Sequence, residues 1–534
     1  MKTGRKMLAL LLALIFVLSC AACGGGGDKS AGADGLTIKV GTPNALPGAF
    51  DSTASTGKFN PHETMHLVYD YLFERDGDTN ELFSDVLEEW HYEDDTTFIM
   101  KLRDGIKFTD GTQMTGEDVL FSMSCYMDRQ SPFAGQYTYI DFENSTVSED
   151  GLTITLKTLY PYGPGPFNVF TPIVCKKWVE ENGYDTEIWA SAPNGSGPYK
   201  VESYVADVSC TLTLKDETWN DYKSPVKSYV FTNYADKSTM FMDLENGVID
   251  IALNISSTDF ERVYAEGGDN IAVEAALGGS YDTFCMDTSN EFLSDKNVRL
   301  AIAYGVDWQA VGEASFGHLY EQPQSLLAPN SEFYNPDVKM YEYNPEYAKQ
   351  LLEEAGYKDG EIHFNIIGSP QLGQDTVAES IQYYLAQIGI TYEIEMYEMA
   401  STIPYWLGLE DHLPDTMLVG ESCACDPYMH LQSLMLSTPN GFPTAQVDDD
   451  KFNELADAAM GTTDPELRKQ YFYELQQYAY DTCLVIPGII SKKATGYRTD
   501  VISDVAFQSY QMNPNLKYIT CVGYEDMSLI GKAH

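Results

Sequence analysis

Apolar and polar residues alternate over 97–103, where Phe98, Met100 and Leu102 fall on one face and Ile99, Lys101 and Arg103 on the other. A period of two marks a half-exposed strand, because successive side chains of an extended chain point to opposite faces. Arg103-Asp104-Gly105 predicts a tight turn, 106–108 a short returning strand, and Thr109-Asp110-Gly111 a second turn. Thr115 is placed to cap a helix whose first turn carries Asp118 and whose buried face starts at Val119, Leu120 and Phe121.

The same reading extends along the chain. Residues 36–41 alternate as a first strand, and Leu67, Tyr71 and Leu72 recur at helical spacing. A strand-turn-strand spans 140–159, with Asp150-Gly151 as its turn, and 161–166 is a Pro/Gly-rich break. A helix from Lys237 ends at Gly247 and leads into a buried strand at 248–251. Asn344-Pro345-Glu346 signals a helix start by cap, proline and acidic first turn, and Gly356 closes that helix. Strands at 362–367 and 392–396 flank a helix at 375–388, and a helix over 464–480 runs into an apolar strand at 484–488. Strand and helix taking turns in this way predict an α/β unit with a largely parallel sheet.

Length and charge narrow the possibilities. A chain of 534 residues exceeds what one core organises and implies two or three domains. The formal charge of −47 repels nucleic acid and anionic headgroups, so neither is expected as a partner of the folded part. So many acids also make close carboxylate pairs commonplace, which weakens any argument from such a pair to hydrolysis. The 37 tyrosines supply flat apolar bodies with polar tips, suited both to covering sheets and to clefts for mixed ligands.

Cysteine spacing forms no disulfide framework, so isolated buried thiols are expected. Cys423-Ala424-Cys425-Asp426 with His430 nearby lacks the spacing of a closed zinc site, and no metal or other cofactor is expected.

The N-terminus reads as an address. Lys2, Arg5 and Lys6 precede an apolar run from Met7 to Leu18, too short for a permanent span and suited to a secretory signal. Ser19-Cys20-Ala21-Ala22-Cys23 and a glycine run follow, and look like a bacterial lipoprotein signal. Cys23 is the preferred acyl acceptor and Cys20 the alternative. Residues 1–22 would be the signal and 23–35 a flexible tether, leaving the protein anchored outside the cytoplasmic membrane.

The combination Leu-Arg-Asp-Gly (102–105), Lys-Phe-Thr-Asp-Gly-Thr (107–112) and Thr-x-Glu-Asp-Val-x-Phe-Ser (115–122) resembles the signature of the peptide/nickel class of extracytoplasmic solute-binding proteins of ABC importers. Further blocks resemble that family in its own order: Asn194-Gly195-Ser196-Gly197-Pro198-Tyr199, Trp219-Asn220-Asp221-Tyr222, the Leu-x-Asn-Gly-x-x-Asp pattern at Leu244–Asp250, and the helix at 296–302. The resemblance implies an α/β, two-lobed periplasmic-binding-protein-like fold with an extra inserted domain and a cleft between the lobes. Its expected divisions are lobe I at 36–67, 186–278 and 497–534, the insertion at 68–185, and lobe II at 279–496. It implies a monomeric binding protein rather than an enzyme. Its expected ligand is an oligopeptide or similar small solute, handed to a permease and ATPase complex.

The resemblance also locates ligand contacts. Phe133 lies in the loop that nears the ligand in peptide-binding members. Tyr281, Phe284 and Met286 stand on the strand that crosses between lobes, as wall residues or as plain core. After Gly420 the peptide-binding members place a tryptophan and an aspartate for the ligand's α-ammonium. Here the stretch is Glu421-Ser422-Cys423-Ala424-Cys425-Asp426-Pro427. Either Glu421 replaces the missing charge, or the ligand presents no free ammonium. Ser422, Cys423, Cys425 and Asp426 complete the expected ligand-contacting set. A secreted hydrolase working with two carboxylates, and a sensor of the same fold, are the competing classes; the hydrolase lacks a catalytic signature.

Overall fold

The structure, a computed structural model, describes residues 35–43, 50–51, 62–75, 81–129, 134–165, 171–184, 186–329, 331–370, 373–406, 410, 413–421, 426–427, 447, 449–505, 516–517 and 519–523. Residues 37–534 form one compact unit. Among the described residues, no helix is long and apolar enough to cross a membrane. The signal, the tether, Cys20 and Cys23 lie outside the described residues.

Among the described residues, eleven strands form one mixed sheet, the short Tyr320–Glu321 joining it beside Val485–Arg498. Its centre is a pair of long antiparallel strands, Ile271–Met286 and Val485–Arg498, of 16 and 14 residues. The sequence pattern predicts only their ends at 281–288 and 484–488, because the middle of each is too poor in alternating apolar residues to read as strand. On one flank Val485–Arg498 pairs with Ile251–Ala252, which lies parallel to Leu36–Thr42. The sheet continues outward through Val226–Asn233, Ser209–Leu214 and Tyr199–Val205. On the other flank Ile271–Met286 pairs with Thr416–Glu421, and that strand lies parallel to Ile362–Gly368, which lies parallel to Ile390–Met396.

A separate four-stranded sheet is built from Leu87–Asp94, Thr97–Leu102, Thr153–Lys157 and Thr146–Val147. Phe98, Met100 and Leu102 are buried as their period requires, and each such side chain contributes about 1.5–3 kcal/mol relative to exposure. The returning strand expected at 106–108 shrinks to one bridge between Lys107 and Gln113, since the second turn follows too closely for a ladder. Thr115 caps the helix Gly116–Asp128, and the Asp118 carboxylate accepts from the Thr115 backbone N–H at 2.8 Å.

The motif blocks turn out to be joints. Thr109 donates from its backbone and hydroxyl to the Gly195 carbonyl at 3.0 and 2.8 Å, and Lys215 Nζ reaches the same oxygen at 2.8 Å. A Cβ at Gly195 would lie 2.0 Å from the Val68 carbonyl oxygen, so only glycine permits that approach. Trp219 donates its indole N–H to Asp70 at 2.8 Å. Asp250 accepts from the Lys39 N–H at 2.9 Å and pairs with Arg498 at 3.6 Å.

Candidate ligand-binding site

The sheet directions create one place where strand ends converge. In a parallel α/β sheet, ligands settle beyond the carboxyl ends of the strands, where the strand order reverses. On one flank, Ile362–Gly368 stands between Ile390–Met396 and Thr416–Glu421, so the chain leaves it first to one side and then to the other. The reversal lies between Gly368 and Glu421. On the opposite flank, Ile251–Ala252 pairs with Tyr497 and Gly496, which directs its carboxyl end toward the middle of the long strand pair. Thr416–Glu421 approaches that middle from the other end, with Glu421 opposite Tyr281 and Gly420 opposite Asp282. Both sets of carboxyl ends therefore face the central stretch of the two long strands.

That central stretch is irregular. The register shifts between Ala276 and Ser280 and again between Asp282 and Thr283. Gly278 and Gly279 fall within the first shift, where bulged backbone favours glycine. At the second, a Cβ on Gly488 would lie 2.5 Å from the Asp282 carbonyl oxygen.

Polar side chains are buried around it: Asp282 is 4% exposed, Thr283 and Ser369 are fully buried, and Gln374 is 1% exposed. The Ser369 N–H donates to Gln374 Oε1 at 2.8 Å, and Gln374 Nε2 donates to the Leu418 carbonyl at 3.2 Å. Gln374 thus ties the loop after one parallel strand to its neighbour across the reversal. Asp282, Ser369 and Gln374 were not among the residues singled out from sequence. The signal that could have found them is the strand order itself, which no single stretch carries.

The expected residues divide into four groups. Tyr281 and Glu421 are brought opposite one another in the ladder at the convergence point. Phe284 and Met286 are fully buried in a core cluster with Trp308, Leu418 and Ile486, and the Phe284 and Trp308 rings are 5.4 Å apart. Of the two readings left open for them, core rather than cleft wall describes their surroundings, because the face they share is covered by helices. Asp426 is buried and bonded at both carboxylate oxygens to Arg468, at 2.8 Å each. Phe133, Ser422, Cys423 and Cys425 lie outside the described residues. Among those described, Cys125, Cys175, Cys210, Cys285, Cys483 and Cys521 are buried, and burial pushes the Cys210 and Cys483 thiols up to about 12.

Residues 81–415 match the family described as bacterial extracellular solute-binding proteins, family 5. The chain belongs to this family. Heme-binding protein A of Haemophilus influenzae is 25% identical over 447 residues, covering 79% of this chain and 81% of its own length. The dipeptide-binding protein of Escherichia coli is 23% identical over 481 residues, covering 83% of this chain and 88% of its own. In structure, the periplasmic binding protein DppA from Helicobacter pylori, solved with the peptide STSA, matches with a TM-score of 0.71 at 22% identity. That match covers 88% of this chain and 94% of the other. The mixed α/β fold expected from sequence is the fold of these binding proteins. This family 5 protein is accordingly an extracytoplasmic solute-binding component of an ABC importer, a binding protein and not an enzyme.

Proposed function

We propose that this protein captures an oligopeptide or similar small solute in a cleft between two lobes and delivers it to a membrane permease, while held at the membrane by a lipid on Cys23 or, alternatively, Cys20. The observation that carries the reading is the convergence of both sets of strand ends on the middle of one shared strand pair. Among the described residues, the two flanks share the long strands Ile271–Met286 and Val485–Arg498 and can rotate about them, and a ligand touching both flanks favours the closed arrangement by its differential affinity. We take the lobe divisions from the sequence reading, under which the four-stranded sheet falls inside the insertion. Ligand contacts are assigned to Tyr281, Glu421, Ser422, Cys423 and Cys425 and, in the insertion, Phe133. Asp426 stands apart as an anchor, since both its oxygens are engaged by Arg468.

A peptide is favoured by the dipeptide-binding relative and by the peptide-bound structural match. A non-peptide ligand is the second reading, favoured by Cys423 and Cys425 standing where the family's ammonium-binding aspartate falls and by the heme-binding relative.

Mass spectrometry of material released from purified mature protein, followed by isothermal titration with what is found, separates the two readings. A short peptide bound stoichiometrically is the expected result. Recovery of a heme or metal chelate would move the assignment to the second reading, and the absence of any binding solute would end both. The mass of the N-terminal fragment from membrane-bound protein identifies the acylated cysteine.

A further inference from the structure

Beside the long strand pair, a further contact joins the two flanks. It is made by the turn Gly317–Leu319, which follows the helix Trp308–Phe316. Glu261, on the helix Ser257–Glu266, holds this turn with both carboxylate oxygens. The His318 backbone N–H donates to Oε1 at 2.6 Å, and His318 Nδ1 lies 2.7 Å from Oε2. That backbone bond holds the Glu261 carboxyl below its ordinary value. The Tyr264 ring, on the same helix, lies 4.5 Å from the imidazole. Gly317 sits at φ +55°, and a Cβ there would lie 2.3 Å from Glu261 Oε1, so glycine lets the carboxylate in.

Apolar side chains around the turn cross the same boundary. Leu319 is buried in the cluster of Phe241, Leu244, Phe260 and Val263. Phe316 packs against that cluster and also against the one that holds Phe284 and Trp308. Directly after the turn, Tyr320 pairs with Ser491 and Glu321 with Ile490, and Lys492 reaches Glu321 at 3.2 Å. Ser491 is also the partner of Ser280, where the register of the long strands shifts. The contact therefore lies level with the bulge. Under the lobe divisions taken above, Glu261 and Tyr264 fall in lobe I and residues 316–319 in lobe II.

We propose that Glu261 is a positioning residue for ligand-driven closure: by seating 316–319 against lobe I, it fixes the axis about which the lobes rotate. The proposal rests on the reading of a cleft between two lobes and on the divisions taken there. A ladder of two strands bends and also twists, most easily where a bulge interrupts its bonds. A further contact beside the bulge restrains the twist and leaves the bend. Points near an axis move little while distant points swing, so the seat holds in the open and closed arrangements alike. Without it the ligand-free chain samples more relative orientations, and a ligand touching both lobes meets a smaller fraction of binding-competent molecules.

Hydrogen-exchange mass spectrometry on the full mature chain without ligand tests it with Glu261→Ala. Exchange about fivefold faster is expected over 276–281 and 489–493, with 210–214 in lobe I and 298–304 in lobe II unchanged. A uniform increase over all four stretches would show lost packing, and no increase at the long strands would show that the seat does not restrain them; both overturn the proposal. Glu261→Gln keeps an oxygen for the His318 N–H and should return exchange to within about twofold of wild type. No recovery would overturn a role set by the reach of the side chain. Tyr264→Ala, which removes an exposed ring, gives the same comparison at about twofold should the Glu261→Ala chain not fold. Titration of wild type and Glu261→Ala with trialanine runs in parallel, and binding about fivefold weaker in the variant is expected. Equal affinities would overturn the link to closure. No binding by wild type counts against the peptide reading, while the exchange result still decides the role of Glu261.

Discussion

Two buried charge clusters hold distant parts of this chain together, and they are built differently. Around Arg468 one guanidinium meets one carboxylate in a two-pronged match. Around Lys517 one ammonium faces three carboxylates, with Asp70 at 3.4 Å, Glu74 at 3.6 Å and Asp85 at 3.9 Å, and Glu74 also lies 3.5 Å from His66. Burial pushes the Glu74 carboxyl up, but Lys517 and then His66 draw it down further, to about 2. Burial holds the His66 ring below its ordinary value, against the pull of Glu74, and the ring stacks on Tyr71 at 3.8 Å. The first cluster is specified by shape, since a fork fits one partner. The second is specified by a sum of charges, in which a single cation makes several ionised acids tolerable in a dry place. Trp219 donating to Asp70, and Lys517 coming from the C-terminal segment, place the second cluster where early and late chain meet.

The largest test of this contrast is Lys517→Met. Removing the ammonium takes the shared cation from three acids at once, and a loss at or above about 5 kcal/mol is expected, the top of the range for breaking a buried ion pair. Urea unfolding measures it. Arg468→Met takes the cation from one carboxylate and should cost less, roughly 3 kcal/mol by the same measurement. Equal losses in the two variants would mean that the number of acids facing the lost cation does not set the cost.

Acid provides the mildest test. The folded pKa of His66 lies below its ordinary 6.5, so the unfolded chain takes up a proton first and stability declines as pH falls below 6.5. Glu74 is likewise depressed, from 4.5 to about 2, so its contribution is complete above 4.5 and disappears toward pH 2. Thermal melts from pH 7.5 down to 3 should fall gently at first and steeply below 4.5. In Arg468→Met both steps should persist, because they belong to the other cluster. Their disappearance would show that the two clusters are not independent.

How much of this could be read along the chain depended on range. The strand over Thr97–Leu102, the Thr115 cap and the Asn344-Pro345 helix start were legible because each is decided by a few neighbouring residues. The family blocks were legible too, but their physical role was not: Thr109 and Gly195 are 86 positions apart and meet only in the fold. At the candidate site, Tyr281 and Glu421 were named from the resemblance, and the ladder sets them opposite one another. Phe284 and Met286 share a strand with Tyr281, yet whether that face meets a cleft or a helix layer is settled by what packs on it. Asp282, Ser369 and Gln374 went unnoticed, since an isolated polar residue in a strand or loop carries no mark of burial.

The sequence by itself determined the local elements, the α/β class and the family, because periodicity, capping and turn chemistry act over a few residues. Only the tertiary structure decided the strand order, and with it where carboxyl ends converge, which acids share Lys517 and which carboxylate Arg468 grips. Those pairings join positions up to 447 residues apart. What selects among them is the cost of leaving buried charges and backbone groups unmatched, a property of the whole packed chain and of no stretch within it.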